Sequence, residues 1–259
     1  MDIPLDLFLR FLLIFCRVSA VVMFIPIFGD RTVPFQAQAA IGFALSLILV
    51  PLVPTLNFPS PEHANLFWLV STLLREVMIG VILGFIVVLL FAGVQMAGQI
   101  VGLQIGFGIV NVLDPQSDLQ VPIIGQLNFL LALMLFLSID GHHTLIQALS
   151  ASYDLIPIGK AHFSDRIAEQ FIRLSGGIFS IALKLGAPVM IVLLLTNVAL
   201  GIIARTVPQM NVFIVGFPLQ IGLGLLAIAF SFSLFSYVFL KEWGVFQREL
   251  VTIIKLLGH

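Results

Sequence analysis

Charge is scarce in this sequence: Asp, Glu, Lys and Arg supply 10% of its 259 residues and leave a formal net charge of −1. Soluble globular domains carry about a quarter, so this composition does not build an ordinary water-facing surface. The 12 Lys and Arg form no dense basic cluster, and no nucleic-acid partner is expected. Cysteine is nearly absent. Cys16 stands alone in an apolar run, which excludes an internal disulfide and reads as a small buried hydrophobe. Catalytic motifs are missing too: no Walker loop, no HExxH and no GxSxG elbow occurs. Gly159-Lys160 lacks the glycine-rich loop before it and the Ser/Thr after it that a nucleotide site requires. No pair of carboxylates lies deep in apolar sequence to relay protons. No Cys/His/carboxylate array has metal-ligand spacing either; in Asp140-Gly141-His142-His143 the two histidines are consecutive and do not share a helical face. Those four residues read as helix-terminal polar groups and caps. A non-enzyme with no cofactor and no metal is expected.

What is abundant is apolar sequence. Hydrophobic residues make up 60% of the chain and the mean hydropathy is +1.15, which predicts an all-α integral membrane protein, because helices satisfy their own backbone in lipid. Asp2 and Asp6 precede the first apolar segment where a secretory signal carries positive charge, so that segment is expected to be retained. Apolar segments at 5–28, 37–54, 66–106, 122–139, 176–203 and 212–240 predict six conventional spans within one compact helical unit. The third is over-long: as one helix it rises about 60 Å, twice the hydrocarbon thickness. It must kink or split near Gly93 or run on into a protein assembly. Gly80 and Gly84 within it form a small-xxx-small pair, and the adjacent Arg75 and Glu76 are expected to use separate partners.

Three cations sit inside apolar segments. Arg10 and Arg17 are seven apart, near one helical face, and Lys184 lies close to Gly186 and Pro188. Each is expensive in hydrocarbon, and each is open to two readings, a structural partner or a place beside a substrate path. Residues 144–175 read as a connection that contains a short amphipathic helix, with Phe163, Ile167, Phe171 and Leu174 on its apolar side. A helical hairpin follows, and the tail from Lys241 is amphipathic. Lys241, Arg248 and Lys255 favour a cytoplasmic carboxyl end.

The stretch 93–122 organises the rest. Gln95, Gly98, Gln99, Gly102 and Gly106 recur at offsets of three and four and share one helical side. Amides are costly in lipid, and spaced glycines admit a second backbone, so this side is expected to pack on protein. Gly106-Phe107-Gly108 then reads as flexible, and Asp114-Pro115-Gln116-Ser117-Asp118 is turn chemistry.

Asp114-Pro115, Phe136-Leu137 before Gly141-His142, Pro157-Ile158-Gly159, Pro208-Gln209-Met210-Asn211-Val212-Phe213 and Gly216-Phe217-Pro218, in that order and spacing, resemble the FliR/SctT family of type III secretion export-gate proteins. The likeness covers nearly the whole chain, including Arg17, Pro26, Arg31 and Pro34. It implies a non-enzymatic, channel-forming subunit that passes unfolded flagellar subunits across the bacterial inner membrane at the flagellar basal body. The implied fold is a FliP-like part over 1–175 joined to a FliQ-like hairpin and tail over 176–259, set in a helical, conical assembly with FliP and FliQ homologues. FlhB, FlhA and membrane lipid are further expected partners. A plug loop over 106–122 is implied, with Gly106, Phe107, Gly108, Asn111, Asp114, Pro115, Gln116, Ser117, Asp118 and Pro122. Gln95, Gly98, Gln99 and Gly102 would then pack against neighbouring subunits, and Arg10, Arg17 and Lys184 would be buried charges. The injectisome SctT branch is the near alternative, although Gly216-Phe217-Pro218 looks flagellar. A small-solute secondary transporter is the more distant one, and no internal repeat supports it.

Overall fold

Apolar runs without proline become helices here because a helix closes its own hydrogen bonds and leaves only side chains to be buried. The computed structural model describes residues 5–29, 33–53, 66–107, 122–209 and 211–258. Among them lie the helices α1 (Leu5–Phe24), α2 (Phe35–Leu49), α3 (Leu66–Ile105), α4 (Ile123–Ser138), α5 (Gly141–Leu155), α6 (Asp165–Thr206) and α7 (Val212–Gly258). The described structure is all-α, as the composition predicts.

Among the described residues, four helices are long and apolar enough to cross a membrane: α1, α3, α6 and α7. The broken pair α4 and α5 makes a fifth if it counts as one span. The six-span expectation is therefore corrected. With 15 residues, α2 rises only about 22 Å, short of the roughly 30 Å hydrocarbon layer. The over-long third segment does not split: α3 is one helix of 40 residues. Gly93 does not interrupt it, since the side chain of Ile181 packs against that position and takes the place of a side chain there. Two further boundaries differ from the sequence reading. Residues 144–155 belong to α5, whose Leu145, Leu149, Ser152 and Tyr153 are buried at helical spacing. The short amphipathic helix is the first turns of α6, which continues through Gly176-Gly177 and Pro188 for 42 residues. Glycine inside a helix costs about 1 kcal/mol relative to alanine, too little to end so long an element.

Where the sequence predicts one compact unit, the structure divides into two that interleave along the chain. The first comprises Met1–Leu89, Phe136–Ser175 and Val245–His259; the second comprises Leu90–Leu135 and Gly176–Gly244. The division escapes a reading by segments because α3, α4, α6 and α7 each contribute residues to both.

In the first unit glycines set the helix contacts. A Cβ on Gly80 would lie 2.5 Å from the carbonyl oxygen of Arg17, and one on Gly84 would lie 2.5 Å from Cβ of Phe24. The small-xxx-small pair thus seats α3 against the backbone of α1. The other arm of the core is the tail of α7, where Phe246, Leu250, Ile253 and Leu257 are buried at helical spacing. Its end is tied in by the N–H of His162, which donates to the carbonyl of Leu257 at 2.9 Å.

At the centre of this unit Arg17 and Glu76 are both fully buried and paired at 2.7 Å. Arg17 also donates to Ser152 Oγ at 3.0 Å and to the Ile156 carbonyl at 3.2 Å, and its guanidinium sits 4.1 Å from the centre of the Tyr153 ring. The second oxygen of Glu76 accepts the N–H of Gly159 at 2.9 Å, while Arg75 donates to the Gly159 carbonyl at 3.0 Å. Arg75 and Glu76 therefore do not use separate partners. They hold the two faces of one peptide residue, which lies at φ 77°, a conformation suited to glycine. Removing one member of a buried pair strands the other charge, at about 3–5 kcal/mol. Arg17→Ala or Glu76→Ala should lower the stability of the detergent-solubilised chain by about that much, read as denaturant midpoint. A loss below about 1 kcal/mol in either variant would contradict the assignment.

Candidate functional site

The candidate site is the stem that holds both ends of the segment 108–121. On the amino side, α3 stops in a way its sequence dictates. Gly106 adopts φ 104°, its N–H donates to the Leu103 carbonyl at 3.2 Å, and the N–H of Phe107 reaches back to the Gly102 carbonyl at 3.1 Å. This pair of bonds is a Schellman stop with glycine just past the helix end. Its hydrophobic contact is Phe107, which packs on the cluster of Val101, Ile105, Ile124, Val189 and Leu193. The flexibility read into Gly106-Phe107 is therefore corrected: glycine here supplies a backbone conformation that the stop requires. Gly108, Asn111, Asp114, Pro115, Gln116, Ser117 and Asp118 lie outside the described residues.

On the carboxyl side, Pro122 is exposed and the N–H of Gln126 donates to its carbonyl at 2.9 Å, opening α4. Proline suits this entry because it has no N–H to leave unpaired. One turn into α4, Gly125 meets α3. A Cβ on Gly98 would lie 2.5 Å from the Cα of Gly125 and 2.6 Å from the Ile124 carbonyl oxygen, and one on Gly125 would lie 3.3 Å from the Gln95 carbonyl oxygen. The two helices touch backbone to backbone there. Gly102 faces Ile124 with ordinary spacing, a Cβ coming to 3.7 Å. The glycine side expected to receive neighbouring subunits thus receives α4 of the same chain. Gln95 and Gly102 are half-buried and Gln99 is exposed.

Two more helices complete the stem. Phe217 of α7 lies against Gly106, 3.1 Å from where a Cβ would stand, and Gly224 of α7 faces Ile105 in the same way. The amides of Gln220 on α7 and Asn197 on α6 pair with each other, so neither is left bare in apolar surroundings. Gly125, Asn197 and Phe217 were not singled out as site residues. The clue for Gly125 was its position three residues after Pro122, at the first turn of a helix that had to pass a glycine-lined face.

The cations fall in different places. Arg17 belongs to the buried network of the first unit. Lys184 pairs with Glu242 at 2.8 Å, its side chain 53% exposed and that of Glu242 9%, which links α6 to α7 within the second unit. Arg10 is half-buried, and its Nε has no hydrogen-bond partner among the described residues. Among the described residues, the stem's polar groups are amides, which position backbone and side chains and offer no nucleophile or general base.

The fold and stem define a polytopic helical membrane protein whose distinctive feature is an anchored segment between two helices. The family model described as "Bacterial export proteins, family 1" matches residues 8–245. The chain shares 38% identity over 261 aligned residues with the flagellar biosynthetic protein FliR of Bacillus subtilis (strain 168), covering 100% of this chain and 98% of that protein. With FliR of Escherichia coli (strain K12) it shares 32% over 231 residues, 86% of this chain and 87% of that one. With FliR of Caulobacter vibrioides it shares 30% over 241 residues, 93% and 94%. The chain belongs to the FliR family of bacterial flagellar export proteins. It is a membrane protein of the flagellar export apparatus, a machinery of several components.

The stem makes a position-specific prediction. Gly98→Leu forces α3 and α4 apart and should cost at least the roughly 1–3 kcal/mol of an overpacked core. Gly222→Leu on α7, where nothing stands within 4 Å, should leave the isolated chain in detergent unchanged. Thermal unfolding of both variants against wild type checks the contrast, and equal midpoints for the two would remove the basis for the α3–α4 contact.

Proposed function

We propose that the chain is a channel-forming subunit of the flagellar type III export gate, assembled with FliP and FliQ homologues in the bacterial inner membrane. Its part over 1–175 is FliP-like and its hairpin and tail over 176–259 are FliQ-like. Unfolded flagellar subunits pass through the assembly, and FlhB and FlhA adjoin it. The segment 106–122 closes the path, with Asp114 to Asp118 making the polar contacts that hold it shut. Gln95 and Gln99 turn toward a neighbouring subunit where α4 leaves them uncovered. Catalysis has no part in this role.

One observation carries the reading. A polar segment leaves α3 at a Schellman stop and re-enters at Pro122, and both ends rest on tightly packed helices in a chain otherwise built for lipid. Lipid gives a turn carrying Asp114, Pro115 and Asp118 no hydrogen bonds, so this segment belongs in a water-filled or protein interior. Full-length kinship with flagellar FliR proteins favours the flagellar apparatus over the injectisome branch.

Removing residues 111–118 should leave the chain able to co-purify with FliP-like and FliQ-like partners while raising ion conductance across the resting membrane. Patch recordings or dye leakage in cells producing the complex read the second effect. A complex that assembles and stays as tight as wild type would rule out closure by this segment. A chain that purifies alone and binds a small anion would point to a transporter.

A further inference from the structure

The break between α4 and α5 carries chemistry that the export role does not use. A ring nitrogen of His142, a ring nitrogen of His143 and a carboxylate oxygen of Asp140 all lie within 4.8 Å of one another. His143 Nδ1 faces Asp140 Oδ1 at 3.1 Å, and the two imidazole rings lie 4.3 Å apart between centroids, tilted by 34°. On an ideal helix adjacent histidines diverge, so their spacing alone does not predict a shared ligand. The backbone brings them together differently. Asp140 precedes the first turn of α5 in the left-handed region at φ 54° and makes no side-chain cap bond, so its carboxylate is free of the N-terminal amides and folds back onto His143. Gly141 makes this possible because its Cα abuts the ring of Phe136, where a Cβ would collide.

A second observation points to a ligand at this place. His142 is half-buried, and its occluded Nδ1 has no hydrogen-bond partner among the described residues. An unpaired buried imidazole nitrogen is an uncommon feature in a folded chain. Two imidazole nitrogens and one carboxylate oxygen form a donor set for borderline divalent metals, above all Zn2+. Bonds of about 2.0–2.1 Å at a tetrahedral centre put neighbouring donors roughly 3.3 Å apart, close to the spacing of His143 and Asp140.

We propose that Asp140, His142 and His143 bind a divalent transition metal of the Zn2+ class, with water or a partner's side chain completing the shell. All three donors come from one turn, so the ion staples the left-handed residue to the start of α5 and stiffens the break. It does not cross-link distant helices. The positive end of the α5 dipole opposes a cation, and Asp140 offsets it, so the site is one for labile rather than permanently held metal.

The test uses the full chain in detergent, purified without a polyhistidine tag, stripped with chelator and titrated with Co2+ and then Zn2+. Wild type should take up one Co2+ with a visible ligand-field band that Zn2+ displaces, and Zn2+ should raise its unfolding temperature. His142→Asn, His143→Asn and Asp140→Asn should each weaken the band, the double histidine variant should lose it, and His162→Asn should keep it. Unchanged circular dichroism in the metal-free variants separates lost ligands from lost fold. The proposal fails if wild type shows no band, if the double variant binds as wild type does, or if the metal follows His162 or another histidine.

Discussion

Close approach of helix backbones at glycine is the constraint on which both units depend. In lipid the apolar faces of helices gain little from leaving their surroundings, so the hydrophobic effect does not order them, and packing does. A side chain at Gly80, Gly84 or Gly98 would overlap the backbone or Cβ of the facing helix. The contacts at Gly80 and Gly84 seat α3 on α1 in the first unit, and the contact at Gly98 seats α4 on α3 in the second. Gly222, Gly201 and Gly244 have nothing within 4 Å, so glycine content alone does not mark a contact. What matters is whether a facing helix presents backbone at the same height.

Against this apolar packing the Arg17 network stands out by its polarity. A charge pair without exposed surface is tolerated only when its donors and acceptors are nearly all met. Here the guanidinium has a carboxylate, a hydroxyl, a carbonyl and an aromatic face, and the carboxylate has a second donor in the Gly159 backbone. The network needs α1, α3, the end of α5 and the loop after it together, so it specifies one arrangement of the first unit more strongly than apolar contacts do. Apolar surfaces slide past one another at small cost, whereas a misplaced Ser152 or Gly159 leaves a buried charge short of a partner.

How much of this was legible in the sequence follows from the distance over which each interaction acts. Helices, the glycine side at 98 and 102, and the end of α3 at Gly106 are local, and periodicity and turn chemistry exposed them. The pairing of Arg17 with Glu76 spans 59 positions and that of Glu76 with Gly159 spans 83. Nothing in a single sequence says which buried cation meets which carboxylate, so Arg17 kept two readings and Arg75 and Glu76 were sent to different partners. The same limit explains the glycine face of α3. Its pattern announces a close neighbour, but not that the neighbour is α4 of the same chain. At Asp140 the obstacle was conformational, since a left-handed residue before a helix rearranges side chains that an ideal helix would keep apart.

The stem also bounds what the segment 108–121 can do mechanically. Its two ends are fixed by different means, a pair of backbone bonds at Phe107 and a backbone-to-backbone contact one turn after Pro122. Fourteen residues between fixed ends reach no further than about 50 Å even when fully drawn out.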